Sequence, residues 1–186
     1  GILGGGQLGK MLLTETRKFD IQTYVLDPSP EAPSRMACNQ FFQGSLMDYD
    51  TVYNFGKQVD VLTFEIELVN LEALEQLEME GVKVYPSPKT LRGIQNKGRQ
   101  KAFYRENNLP TSDFSYFNSL KELMVAFLEG KVTVPFVWKS TEFGYDGNGV
   151  KIVRHATDLE NLPDVECIAE DMVPFKNELA VIVVRN

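Results

Sequence analysis

Histidine is almost missing from this chain, and cysteine is scarce. The single histidine, His155, offers poor material for a zinc site or a Ser/His/Asp triad and reads as a surface residue after a strand. The two cysteines, Cys38 and Cys167, lie far apart without a CxxC spacing, so they read as free thiols of a reducing cytoplasm, not as a disulfide framework or metal site. No run of about 18 apolar residues and no signal-peptide pattern occurs, so neither a membrane span nor secretion is expected. Basic residues are also short, 19 against 26 acidic ones for a net charge of -7. A phosphate footprint needs clustered Lys and Arg, so nucleic acid is not the expected partner. Internal repeats and low-complexity segments are absent. The chain has no initiator methionine, and its first strand, Ile2-Leu3, looks clipped against the usual five or six residues. It stops at Val183-Val184-Arg185-Asn186, in or just after a strand, and so reads as a piece of a longer protein.

What is present is an ordinary soluble composition, 43% hydrophobic and 24% charged over 186 residues, enough for one large domain or two small ones. The first half alternates strands and helices. Ile2-Leu3, Thr23 to Leu26, Gln40 to Gln43, Val59 to Phe64 and Val82 to Tyr85 read as strands. Helices follow Gly6, run from about Asp48 to Gln58, and run from Leu71 to Glu80. That order predicts an α/β fold with a doubly wound, Rossmann-like parallel sheet. The glutamates of the Leu71 helix form its solvated face. After Pro88 the pattern changes to α+β: a helix over Lys89 to Asn107, a strand near Phe114 to Phe117, and a helix over Leu120 to Glu129. A hairpin follows, then a short helix over Thr157 to Leu162, and strands over Glu166 to Met172 and Glu178 to Val184. The boundary is expected near residue 95, giving domains 1–95 and 96–186.

Two stretches carry candidate chemistry. Gly4, Gly6 and Gly9 fit G-x-G-x-x-G, and Asp27 ends the next strand where a dinucleotide fold places its ribose acid. The same glycines equally serve a tight turn and close helix–strand packing, or present amides to a substrate phosphate. Glu65 and Glu67 end a parallel strand where open α/β sheets bind ligands, though both could merely cap the turn. The second stretch is the hairpin from Pro135 to Val153, with Gly144, Gly147 and Gly149 around Tyr145 and Asp146 at its tip. Lys139 stands where its first strand meets that loop. A lysine there, with glycine amides free to approach closely, suits a polyphosphate, and such a loop can close over a reactive intermediate.

The order of these motifs resembles the ATP-grasp enzymes, and among them the 5-(carboxyamino)imidazole ribonucleotide synthetases. Gly4-Gly5-Gly6-Gln7-Leu8-Gly9 resembles that family's G-x-G-Q-L-G, Leu26-Asp27-Pro28 its L-D-P turn, and Thr63-Phe64-Glu65-Ile66-Glu67 its T-x-E-x-E strand end. Gln95 to Lys101 resembles Q-D-R-x-x-x-K, Lys139 with Gly144 to Gly149 resembles K-x(4,5)-G-Y-D-G-x-G, and Glu170, Phe175, Glu178 and Arg185 fit E-x(4)-F-x-x-E-x(6)-R. The resemblance implies a pre-ATP-grasp domain followed by the small ATP-grasp subdomain and the start of the large one. It implies that ATP phosphorylates bicarbonate to carboxyphosphate, and that aminoimidazole ribonucleotide then takes the carboxyl group. Lys97 and Lys139 would meet ATP phosphates or adenine, and Gly144, Gly147 and Gly149 would cover them. Glu170, Asp171, Met172 and Val173 would form the hinge that reads adenine, and Glu178 would hold the ribose. Gln7 and Glu65 fall on the nucleotide-substrate side, and Lys139, Tyr145 and Asp146 are the catalytic candidates. Mg²⁺, with ligands outside this chain, and a homodimer are also implied. The chain departs from the pattern at Leu68, Asn96, Lys97, Phe143 and Val150. Lys97 keeps the charge of an arginine but not its bidentate fork, and Leu68 bears on the substrate side. The alternatives are another ATP-grasp carboxylase or formyl-transfer ligase, an NAD-dependent oxidoreductase using Gly4 to Gly9, and a non-catalytic nucleotide-binding module.

Overall fold

The structure, a computed structural model, describes residues 1–142 and 149–183. It divides into two compact units, Gly1–Asn96 and Lys97–Asn186, each built on its own sheet.

The first unit is the expected doubly wound α/β layer. Its strands β1 (Ile2–Leu3), β2 (Tyr24–Asp27), β3 (Gln40–Gln43), β4 (Val61–Phe64) and β5 (Lys83–Tyr85) are all parallel, in the order β3-β2-β1-β4-β5. β1 is only two residues long, yet it lies in the middle: Ile2 is in register with Val25 on one side and Thr63 on the other. The inner strands β1 and β2 send Leu3 and Leu26 into one core and Ile2 and Val25 into another, and this cover on both faces explains why they read as continuous apolar runs. The helices are α1 (Gln7–Thr16), α2 (Tyr49–Gly56), α3 (Leu71–Met79) and α4 (Pro88–Ile94). Three starts are fixed by side chains: Asp48 accepts the Thr51 N–H, Asn70 the Ala73 N–H, and Ser87 the Thr90 N–H with Pro88 at the first helical position. α3 buries Ala73, Leu74 and Leu77, its three-and-four spacing, against Leu3, Leu26, Val52, Phe55 and Leu62. Each fully buried leucine of this set contributes about 1.5–3 kcal/mol. The strand order reverses between β1 and β4. The carboxyl ends of β1, β2 and β4 therefore bring Gly4 to Gly6, Asp27 and Glu65 to one place.

The second unit has an antiparallel sheet, β6-β9-β7-β8, from β6 (Phe114–Phe117), β7 (Phe136–Ser140), β8 (Val150–Val153) and β9 (Cys167–Asp171). Its helices are α5 (Lys97–Glu106) and α6 (Leu120–Leu128), with a 3-10 turn over Ala156–Asn161. Alternation along β7 sends Phe136 and Trp138 into a core with Leu123, Val153 and Cys167. Lys139 and Val137 face the other side, where α5 packs on β9.

Two expectations are corrected. The helix read over Lys89 to Asn107 is two helices, because the chain breaks at Gln95-Asn96. There the Gln95 side-chain amide donates to the carbonyls of Glu67 (2.7 Å) and Val69 (3.0 Å), and the Lys97 N–H turns to the Thr141 carbonyl (2.8 Å). The strand read over Glu178 to Val184 is not formed among the described residues. Residues 178–183 are irregular and exposed, and no described strand pairs with them.

Candidate functional site

The glycine loop of the first unit is a built anion cradle whose donors are already taken. Gly4 adopts φ +95°, a left-handed conformation open to glycine and strained for any other residue. It turns the chain so that the next two amides point at acids. The Gly5 N–H donates to Asp27 Oδ2 at 2.6 Å, and the Gly6 N–H to Glu65 Oε1 at 2.9 Å. Asp27 Oδ1 also accepts the Ser29 N–H at 2.8 Å. Both carboxylates come from strand ends and sit at the N-terminus of α1, where the helix dipole favours negative charge. Asp27 therefore spends its oxygens on the loop, in place of the ribose contact that the dinucleotide reading requires. A pyrophosphate here would have to displace two carboxylates. Gly9 packs close instead: a Cβ on it would lie 2.8 Å from the Gly4 carbonyl oxygen and 3.1 Å from Ser34 Oγ. Gln7 is exposed at the first position of α1.

The second unit gathers cations around one buried carboxylate. Lys139, half-buried on β7, donates to Glu170 Oε2 of β9 at 2.9 Å. Ser112 Oγ donates to the same oxygen at 3.1 Å. Lys101 of α5 comes within 3.8 Å of Glu170 Oε1. Its ammonium donates to Thr111 Oγ1 (2.5 Å), the Ser112 carbonyl (2.8 Å) and Ser112 Oγ (2.9 Å), and lies 5.1 Å from the centre of the Phe114 ring. Side-chain exposure is 8% for Lys101, 9% for Glu170 and 28% for Lys139, so only Lys139 reaches water appreciably. Burial is the largest influence on Lys101 and draws its ammonium below the usual lysine range. Glu170 opposes that, Lys139 adds to it, and Asp113 opposes it again. Two cations share one carboxylate, so these three groups carry one positive charge in excess, and Lys139 is where an anion can reach it. Such a site can hold a phosphate or polyphosphate by charge and by directed N–H donors.

Other expected residues are placed as follows. Lys97 is half-buried and opens α5. Gly149 has φ +70°, and its carbonyl accepts the Ser140 N–H at 2.9 Å at the mouth of the hairpin. Gly144, Tyr145, Asp146 and Gly147 lie outside the described residues. Asp171 ends β9, exposed, with Met172, Val173 and Glu178 exposed after it. A cavity of about 820 Å³ is built on Trp138 and Ser140, which alternate with Lys139 along β7, and so opens on the other face of the sheet. No group of three or more His, Cys, Asp and Glu that could hold a metal ion occurs among the described residues, and no described helix is long and apolar enough to cross a membrane. Sequence reasoning missed Ser112 and Thr111, which carry no motif, and the part of Lys101, which it saw only as the last residue of the Gln95 to Lys101 stretch.

Comparison with known proteins gives these sites a family. Residues 1–95 match the ribonucleotide synthetase preATP-grasp domain, and residues 102–186 match the ATP-grasp domain. All of the chain aligns with the N5-carboxyaminoimidazole ribonucleotide synthase of Pseudomonas aeruginosa, at 32% identity, covering 51% of that protein. All of it also aligns with the phosphoribosylaminoimidazole carboxylase of Saccharomyces cerevisiae, at 34% identity, covering 34%. Among solved structures, the carboxyaminoimidazole ribonucleotide synthase of Aspergillus clavatus, complexed with ATP, superposes with a TM-score of 0.84 and 35% identity over 95% of this chain and 47% of that one. The chain thus spans about a third to a half of the length of these two curated relatives. Purine-biosynthetic ligases of the ATP-grasp type are what it resembles along its whole length. The chain belongs to the ribonucleotide synthetase preATP-grasp family, whose domain is followed here by an ATP-grasp domain.

Proposed function

We propose that this chain is part of an ATP-dependent carbon–nitrogen ligase that carboxylates aminoimidazole ribonucleotide with bicarbonate. The observation that carries the reading is the Lys139–Glu170 pair with Lys101 behind it: a cationic group at the mouth of a glycine-rich hairpin, in a chain aligned throughout with such synthases. An Aspergillus clavatus relative has been solved with ADP and 5-aminoimidazole ribonucleotide. The γ-phosphoryl group of ATP passes to a bicarbonate oxygen, giving carboxyphosphate and ADP. The substrate amine then forms a bond to the carboxyl carbon, the bond from that carbon to the bridging oxygen breaks, phosphate leaves with that oxygen, and the amine loses a proton. Lys139, with Lys97, neutralises the phosphate charge, and residues 144–149 cover it and keep water from the labile intermediate. The backbone of Glu170 to Val173 reads adenine, and Glu178 holds the ribose hydroxyls. Gln7 and Glu65 serve the substrate side, with Glu65 also fixing the glycine loop, and Tyr145 with Asp146 meets the reacting groups. Residues 1–95 act as the pre-ATP-grasp domain, and 96–186 as the small ATP-grasp subdomain with the start of the large one. Ligands outside the described residues would hold Mg²⁺, which would offset the charge of the ATP phosphates, and the enzyme works as a cytoplasmic homodimer.

ADP release by the full-length gene product, with MgATP and bicarbonate, with and without aminoimidazole ribonucleotide, tests this reading. Strong stimulation by the ribonucleotide is expected. ATP turnover indifferent to it would leave another ATP-grasp carboxylase or formyl-transfer ligase. No ATP turnover would overturn the reading.

A further inference from the structure

Lys101 is a lysine that scarcely touches water and donates to a single segment of chain. Three oxygens of Thr111 and Ser112 surround its ammonium, which has three protons to give. Ser112 Oγ, taking one of these, is oriented to donate its own proton to Glu170 Oε2. That oxygen is the one Lys139 uses. Lys101 stands toward the other oxygen, Oε1, at 3.8 Å, so it does not compete with Lys139 for its acceptor. A buried lysine is costly unless it is paired and hydrogen-bonded, and here every donor is committed to holding one carboxylate's surroundings.

We propose that Lys101 is a positioning residue. Through Ser112 it fixes the Glu170 carboxylate and so sets where the Lys139 ammonium stands, and it leaves Glu170 with a cation when Lys139 turns to a phosphate. The last step rests on the reading that Lys139 meets the ATP phosphates. Without Lys101, Glu170 loses one of its two ion-pair partners among the described residues, Lys101 and Lys139, and holds Lys139 harder. Lys139 then becomes a poorer partner for phosphate, because taking it away would leave a buried carboxylate unpaired.

The test uses the full-length gene product carrying Lys101→Met or Ser112→Ala. Acetylation of Lys139 by acetic anhydride, followed by mass spectrometry, reports how firmly Glu170 holds it, whatever reaction the enzyme catalyses. Lys101→Met should slow that acetylation by about threefold. It should raise KM for ATP about tenfold while KM for aminoimidazole ribonucleotide stays within twofold or so. Adding Glu170→Gln should return Lys139 acetylation to at least the wild-type rate, a recovery that general loosening of the fold would not give. Ser112→Ala cuts the relay with Lys101 still in place, and should shift both readouts in the same direction by less. If Lys101→Met does not fold, Ser112→Ala decides alone, and unchanged Lys139 acetylation in that variant overturns the proposal. Slowed acetylation in an enzyme that turns over no ATP would keep the positioning role and refute the carboxylase reading instead.

Discussion

Gly9→Ala should destabilise the first unit, although alanine is the better helix former. Gly9 lies inside α1, where alanine gains up to about 1 kcal/mol over glycine. Its new Cβ would sit 2.8 Å from the Gly4 carbonyl oxygen. That oxygen is backbone and cannot swing aside: Gly4 is held at φ +95° with its N–H on the Leu26 carbonyl (2.9 Å), directly after the central strand β1. Overpacking against an unyielding neighbour costs about 1–3 kcal/mol, which leaves a net loss of about 1 kcal/mol. Gly6→Ala meets a different obstacle, Glu65 Oε1 at 2.7 Å, the far end of a side chain that can rotate away. Its cost, chiefly the hydrogen bond to Gly6, should largely disappear in a Glu65→Ala background, whereas the cost of Gly9→Ala should persist there. Urea unfolding followed by far-UV circular dichroism, with amide exchange at Val25 and Leu26, reads the first unit. Fluorescence of Trp138, the sole tryptophan, reads the second unit and should not move. A Gly9→Ala protein as stable as the parent, or one rescued by Glu65→Ala, refutes the packing role of this glycine. NADH binding by the parent that Gly6→Ala abolishes would restore the dinucleotide reading.

Burial pushes the Cys167 thiol up to about 11 from an ordinary 9, offset in part by Trp138. The native thiol keeps its proton where the unfolded one loses it, so this contribution is complete below pH 9. It declines between about pH 9 and 11, at up to about 1.4 kcal/mol per unit. Cys167→Ala should flatten that alkaline limb, and a limb identical in parent and variant would contradict it; the half-buried Cys38 should also react with iodoacetamide well before Cys167. Glu80 accepts from Tyr53, Lys57 and Gln76, and these bonds, that of Lys57 foremost, pull its carboxyl down to about 2. Its contribution is present above about pH 4.5 and lost as the pH falls toward 2, so Glu80→Gln should remove part of the acid limb of thermal stability. Asn70→Ala takes away the cap on Ala73 (2.9 Å) and a bond to the Met47 carbonyl (3.0 Å), and should lower the urea midpoint by the equivalent of about 1 kcal/mol with the slope unchanged.

The alternation of the first half was legible because inner parallel strands covered on both faces must be apolar, and Ile2-Leu3 and Val25-Leu26 announce themselves. The break between α4 and α5 was not, because Gln95 and Asn96 suit a helix well enough. What ends α4 is a side-chain amide reaching two carbonyls 26 and 28 residues back. The β-branched run at Val181 to Val184 has the propensity of a strand, but propensity supplies no partner, and residues 178–183 pair with none of the described strands. Lys139 could be picked out because it stands at a strand end before a glycine loop. Its acceptor Glu170 could be found only by resemblance, and then for its backbone, since nothing in a sequence says which of two side chains 31 residues apart will meet across β7 and β9.

The glycine loop shows why a motif can be read correctly for shape and wrongly for chemistry. Gly4-x-Gly6-x-x-Gly9 and Asp27 satisfy the spacing of a dinucleotide site, and the structure delivers the shape that spacing encodes: a strand, a left-handed turn, and a helix packed close enough to exclude a Cβ at Gly9. The ligand is decided by where the neighbouring acids point, which spacing does not record. Asp27, in the position of a ribose acid, folds back on Gly5, and Glu65, arriving from β4, takes Gly6. With two carboxylates on its amides, the loop is closed to a dianionic pyrophosphate. Its glycines hold α1 and the strand ends in place, and with them Gln7 and Glu65. Among the described residues, Lys139 of the second unit is a partly exposed cation at a strand end before a glycine-rich loop, and the phosphate chemistry proposed for the chain is to be sought there first.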